Sequence, residues 1–256
     1  MATPTPPRPT DYERIASRYN LAREAPTEWV EAWRVVLAPI LRRSSLPMLD
    51  VGSGTGYWAT ALADWFSLEV VAVEPSRAMR REALEKRHHP AISYLGGRAE
   101  SLPLRDGSCD SAWLSTVVHH VSDLSRCALE LRRVLAPGGQ VVIRNAFSGR
   151  TDGIPWLRYF EHVRHLGESR WPTVEHVLTA FEPEGFSLEC LNRVEETSAL
   201  SLAEYARRVG VRADSTLAAI SDHDFERGMR FLEQAAAAEK EPEPVITTLD
   251  LLVMKR

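Results

Sequence analysis

Asp50, three glycines that follow it at alternate positions, Glu74 and the pair His119-His120 are the residues whose types and spacing point to chemistry. In Asp50-Val51-Gly52-Ser53-Gly54-Thr55-Gly56 the glycines permit backbone angles closed to other residues and leave main-chain N–H groups within a ligand's reach. A dinucleotide loop is spaced Gly-x-Gly-x-x-Gly, whereas here the third glycine comes one residue early and a carboxylate stands two before the first. This is not the dinucleotide spacing. Glu74 follows the glycines by roughly 20 residues, the separation at which a strand–helix–strand unit brings a carboxylate to a ribose. There it can accept from both hydroxyls, provided neither is phosphorylated. His119 and His120 lie just past a strand-like run, and an imidazole so placed can take a proton from an attacking hydroxyl or amine. His120 is the first choice for that role and His119 the second; the alternative is that the pair orients a ligand or caps the next helix.

Each of these residues needs an element to hold it. Pro47-Met48-Leu49 is a short apolar run entering the glycine turn, and Tyr57 to Phe66 carries no Gly or Pro, so a strand feeds a helix through the loop. Leu68 to Val73 reads as a strand buried on both faces with Glu74 at its tip, and Pro75-Ser76 open a helix that carries Met79. Ala91 to Leu95 and Cys109 to Ser115 read as the third and fourth strands. Asp123 to Leu135 is an amphipathic helix, stopped by Ala136-Pro137-Gly138-Gly139 before a fifth strand over Gln140 to Asn145. Phe186 to Glu196 and Val245 to Met254 read as the last two strands, with helically spaced apolar residues across Ser201 to Glu241 between them. In an open α/β sheet ligands bind outside the carboxyl ends of the strands. The glycine loop, Glu74 and the histidine pair all fall there.

The 256 residues allow one elaborated domain or two small ones, and a net charge of −4 gives no electrostatic reason to expect a nucleic-acid partner. Cys109, Cys127 and Cys190 lack zinc or disulfide spacing and suit core thiols in a reducing cytoplasm. The N-terminus is Pro-rich and polar where a signal peptide would be apolar, and no stretch is long and apolar enough for a membrane span. His162-x-x-His165 shares one helical face without a cysteine or carboxylate framework, so no metal is expected.

The Asp50 to Gly56 loop, Glu74, Gly96-Gly97-Arg98-Ala99-Glu100-Ser101-Leu102-Pro103, the Ser115-Thr116-Val117-Val118-His119-His120 strand end and Leu135-x-Pro137-Gly138-Gly139, in that order, resemble the small-molecule group of class I S-adenosylmethionine (SAM) dependent methyltransferases. The resemblance implies a Rossmann-like α/β fold, a seven-stranded mostly parallel sheet with helices on both faces, plus helical cap insertions. It implies a mobile tail over 1–10 and a single domain over 11–256, with an N-terminal lid (11–43), a SAM-binding core (44–147) and substrate-side insertions (150–175 and 200–242). SAM would be held by Tyr19 at its methionine end, by Asp50, Gly52, Ser53, Gly54 and Gly56 of the loop, and by Glu74 at the ribose. Pro75, Met79, Arg98, Ala99 and Glu100 would meet the adenine, and Ser115 and Thr116 the methionine moiety. Arg98 stands where the family carries an acidic residue, leaving the Ala99 N–H to read the adenine edge. The expected reaction is methyl transfer to a small-molecule O, N or C acceptor in bacterial secondary metabolism, leaving S-adenosylhomocysteine, with a homodimer as the assembly. A protein of the same fold that binds SAM for another reaction is the alternative. A nicotinamide oxidoreductase is disfavoured because no lysine lies between Lys86 and Lys240 to build a Tyr-x-x-x-Lys site, and amino-directed base methylation because Asn/Asp-Pro-Pro-aromatic is missing.

Overall fold

The computed structural model describes residues 25–41 and 44–256. Tyr19, the tail over 1–10 and residues 11–24 of the expected lid lie outside the described residues. Seven strands form one sheet, β1 (Met48–Val51), β2 (Val70–Glu74), β3 (Ile92–Gly96), β4 (Cys109–Ser115), β5 (Leu135–Asn145), β6 (Ser187–Ala199) and β7 (Val245–Lys255), in the order β3-β2-β1-β4-β5-β7-β6. β1 to β5 run parallel, while β7 is antiparallel to both β5 and β6. The last two strands pair with each other, β7 taking the inner place and β6 the edge. Burial explains this: β7 has six consecutive buried residues, Leu249 to Met254, whereas β6 is largely exposed or half-buried.

The helices are α1 (Glu31–Leu37), α2 (Tyr57–Phe66), α3 (Arg77–Lys86), α4 (Leu124–Val134), α5 (Arg164–Arg170), α6 (Val174–Phe181), α7 (Leu202–Gly210), α8 (Ser215–Ala219) and α9 (Asp222–Ala238). Strand alternation divides the core into two layers. Trp113, Val142, Leu251 and Val253 face one layer with α1 and α2, and Ala112, Leu114, Val141, Ile143, Leu252 and Met254 face the other with α4 and α6. Side-chain caps start six of the helices: Ser76 accepts from the Met79 N–H, Asp123 from Arg126, Thr173 from His176, Ser201 from Glu204, Asp214 from Thr216 and Leu217, and Ser221 from Asp224. Pro137-Gly138-Gly139 does not precede β5 but lies inside it. The register slips there between Cys109 and Ser111, so the proline and glycines form an irregularity in the ladder.

The segment between β6 and β7 folds as α7, α8 and α9. Gly228 on α9 lies against the Phe160 ring, which is fully buried. A Cβ there would stand only 2.5 Å from Phe160 Cγ. Gly228→Ala is thus expected to destabilise by about 1–3 kcal/mol through overpacking, although alanine is the better helix former. A thermal or denaturant melt as stable as the parent's would show that the ring can move aside.

Candidate active site

The glycine turn is set by backbone geometry. Gly52, Gly54 and Gly56 have φ of +69°, +55° and +79°, in the left-handed region that side chains with a Cβ avoid. A Cβ on Gly52 would stand 2.6 Å from Val117 Cγ2, and one on Gly56 would run into the Tyr94 hydroxyl. Beside Gly54 no atom of the described residues lies within 4 Å of where a Cβ would stand. The N–H groups of Gly52 and Ser53 donate to the Val73 carbonyl at 2.7 and 3.2 Å, which ties the turn to β2. Glu74 ties it a second time, since Oε2 accepts from the Gly54 N–H at 3.0 Å and Oε1 from the Ser76 N–H at 2.8 Å.

Asp50 is the electrostatic centre of the turn. It is 1 % exposed, and burial, reinforced by the nearby Glu74 carboxylate, pushes its pKa up to about 8. Among the described residues its Oδ2 and the Ser53 Oγ are buried without hydrogen-bond partners. Two unsatisfied acceptors beside an open glycine turn fit a group that brings N–H donors and positive charge.

Two cavities meet at this turn. Glu74, Pro75, Met79, Arg98, Ala99 and Glu100 line one, together with His120 and Arg170. Asp50 and Ser53 line the other, whose far wall is built by Trp58, Arg144, Trp156, Trp171, Glu196 and Tyr205. Gly52, Gly54, Ser115, Thr116 and His119 border both. Gly56 borders neither and serves as the left-handed residue that starts α2. Thr116 holds φ +53°, unusual for a residue with a Cβ; its N–H donates to the Arg144 carbonyl at 2.7 Å and its Oγ1 to the Ser115 carbonyl at 2.7 Å. Glu100 accepts from the Ser122 N–H at 2.9 Å and from its hydroxyl at 2.7 Å, pinning the loop after β3 beside the histidine turn. Arg98 is exposed and lies 3.7 Å from Glu100.

Residues 49–143, which hold the turn, the Glu74 tip and the histidine pair, match the family described as methyltransferase domain. Over that segment the chain is similar to class I SAM-dependent methyltransferases. A demethylmenaquinone methyltransferase of Renibacterium salmoninarum is 36% identical to it over 144 residues, covering 56% of this chain and 59% of that protein. The chain spans about half the length of the curated relatives it matches first. Among solved structures, a protein of Anabaena variabilis described as a methyltransferase from an antibiotic biosynthesis pathway aligns with a TM-score of 0.70 at 22% identity, over 89% of this chain and 97% of that one. The [4+2]-cyclase SpnF aligns with a TM-score of 0.63 at 19% identity, over 98% of each. Both likenesses are of fold. They agree on a Rossmann-like architecture, and the donor that goes with the domain matched over 49–143 is SAM.

Several residues of the second chamber were not evident as site residues from the sequence. Arg144, the penultimate residue of β5, has its guanidinium 5.1 Å from the Trp33 ring and 4.9 Å from the Trp58 ring. It pairs with Glu196 of β6 at 2.5 Å and donates to the Ser115 Oγ at 3.1 Å. Glu196 in turn accepts from the Trp33 Nε1–H at 2.6 Å. Only the position of Arg144 at a strand's carboxyl end marked it beforehand. His162 hydrogen-bonds the Asp224 carbonyl at 3.0 Å and stacks on Phe160, so the ring joins the 150–175 segment to α9.

Proposed function

We propose that this chain transfers the SAM methyl group to a small-molecule acceptor. The observation that carries this reading is the buried Asp50 Oδ2, unpartnered among the described residues, in a glycine turn between one cavity that ends at Glu74 and another walled by tryptophans. Asp50 and Ser53 would receive the methionine ammonium. Glu74 would take the ribose hydroxyls; a carboxylate offers about four acceptor sites, so two backbone bonds are compatible with two more. Met79, Ala99 and Glu100 would enclose the adenine, and Ser115 and Thr116 the methionine chain. When bound, SAM supplies an electrophilic methyl on sulfur. The protein's own contribution is to hold the acceptor in line with it, which can account for most of the acceleration.

The acceptor chamber is walled by residues beyond 49–143, including Trp156, Trp171, Glu196 and Tyr205. This supports an acceptor particular to this chain, within the small-molecule class. The insertions 150–175 and 200–242 are the proposed acceptor-binding parts and 11–43 the proposed lid. Among the described residues no helix is long and apolar enough to cross a membrane. Cys109 and Cys127 are buried and free, their thiols pushed up by burial, in keeping with a reducing cytoplasm.

Calorimetry with SAM, followed by a mass-spectrometric screen for acceptors that gain a methyl group, tests the reading. Saturable SAM binding and a methylated product are expected; SAM binding without any product would favour another reaction on the same fold. Glu74→Ala is expected to weaken SAM by about 1–3 kcal/mol. An unchanged dissociation constant would remove Glu74 from the ribose site.

A further inference from the structure

The histidine pair is not symmetrical. His120 is exposed and borders only the adenosine-side cavity, while His119 is half-buried and borders both. His119 ends up beside Asn145, the last residue of β5, because β4 and β5 are paired with Ser115 opposite Arg144. Its Nδ1 lies 3.2 Å from Asn145 Oδ1. On the other side of the ring, Nε2 lies 3.5 Å from the Oγ of Ser215, a residue of α8.

Asn145 has only one possible orientation. It is completely buried, and its amide nitrogen lies 2.5 Å from the Ala146 carbonyl. A carbonyl can only accept, so the amide's NH2 must be on that side and its oxygen must face His119. An amide oxygen likewise only accepts, and the ring atom opposite it must carry a hydrogen. His119 is held as the Nδ1–H tautomer, and in the neutral ring the lone pair is then on Nε2. Ser215 gives the direction of that lone pair. It borders the acceptor chamber and not the adenosine-side cavity, so Nε2 is turned toward the acceptor.

We propose that Asn145 is a positioning residue that makes His119 the proton acceptor of this site, and that the acceptor substrate is an aromatic hydroxyl compound. The inference rests on the methyl-transfer reading and deepens it. A base aimed at the acceptor serves only a nucleophile that sheds a proton on methylation; a carboxylate, already ionised at neutral pH, has none to lose. Trp58, Trp156 and Trp171 wall the chamber with flat apolar faces, which suit a planar ring. In the step, the acceptor O–H bond breaks as the oxygen's electron pair forms the O–CH3 bond. The methyl–sulfur bond breaks with its pair returning to sulfur, and the proton moves to His119 Nε2. The imidazolium then gives that proton to water. Ser215 places the 200–242 insertion at the base, so this elaboration forms part of the proton-accepting wall.

The tautomer can be read directly by NMR on the full chain with 15N-labelled histidine and no donor present, independently of whether methyl transfer occurs. His119 is expected to show Nδ1–H and a bare Nε2. Asn145→Asp, which keeps the accepting oxygen, should preserve this, and Asn145→Leu should return the ring to the Nε2–H form that histidine prefers in water. A wild-type ring protonated on Nε2, or a tautomer indifferent to Asn145→Leu in the folded variant, overturns the positioning role. Methyl transfer is then measured with 4-methoxyphenol, benzylamine and 4-nitrothiophenol as probes. Transfer to the phenol should fall ~100-fold or more in His119→Gln, while transfer to the thiolate changes only a few-fold. Equal losses on both would reduce His119 to a structural part, and methylation of the amine alone, or of no probe, would overturn the hydroxyl assignment. SAM calorimetry on the same samples distinguishes this outcome from failure of donor binding.

Discussion

Glu196→Ala is expected to lower the unfolding free energy by about 3–5 kcal/mol, the cost of stranding a buried charge by removing its partner. The Arg144 and Glu196 side chains are 7% and 12% exposed, too little for water to replace the missing partner. Two indole faces partly offset the guanidinium's desolvation, and the Trp33 N–H would lose its acceptor in the same stroke. The double replacement Arg144→Met with Glu196→Leu should recover much of the loss, because it removes both charges. Urea denaturation decides the matter: a single-variant loss below about 1 kcal/mol would mean that the pair is hydrated in solution.

Asp50→Asn should have opposite effects on the free and donor-bound protein. With its pKa pushed up to about 8 from an ordinary 3.8, Asp50 holds its proton more tightly folded than unfolded. The stability it contributes is complete below about pH 4, drains away as pH rises, and is gone above about pH 8. Asparagine has no proton to lose, so the variant without SAM should be more stable than the parent at neutral and alkaline pH. For SAM the sign reverses. A cationic ammonium favours the ionised carboxylate, so binding near neutrality should release a proton, and affinity should rise up to tenfold per pH unit from about pH 6 towards pH 8. Asp50→Asn should flatten that slope and weaken SAM by about 1.5–3 kcal/mol. Calorimetry in buffers of different ionisation enthalpy reads the proton directly; a binding heat independent of the buffer would place the ammonium elsewhere.

Much of the framework could be read locally. α2 occupies Tyr57–Phe66 and β4 Cys109–Ser115 as their apolar patterns require. The glycine turn, the Glu74 tip and the histidine turn lie at the carboxyl ends of their strands, because alternation and turn chemistry are properties of neighbouring residues. The inner place of β7 was not readable. Both closing strands have similar local propensity, and only the continuity of apolar residues on both faces of β7 separates them.

The acceptor side was hidden for a related reason. Arg144 and Glu196 are 52 residues apart, and His119 and Ser215 are 96 apart. No short-range pattern links them, since their meeting depends on sheet order, register and the packing of three inserted helices against the strand ends. The sequence by itself determined the glycine-turn side: a strand, a left-handed glycine turn and a carboxylate about 20 residues on are fixed by local backbone sterics and one strand–helix–strand crossover. Only the tertiary structure decided which histidine borders both cavities and which of its nitrogens faces Asn145. That choice is made by a buried Asn145 whose own orientation is set by the Ala146 carbonyl, a hydrogen-bond constraint that exists once β4 and β5 lie side by side.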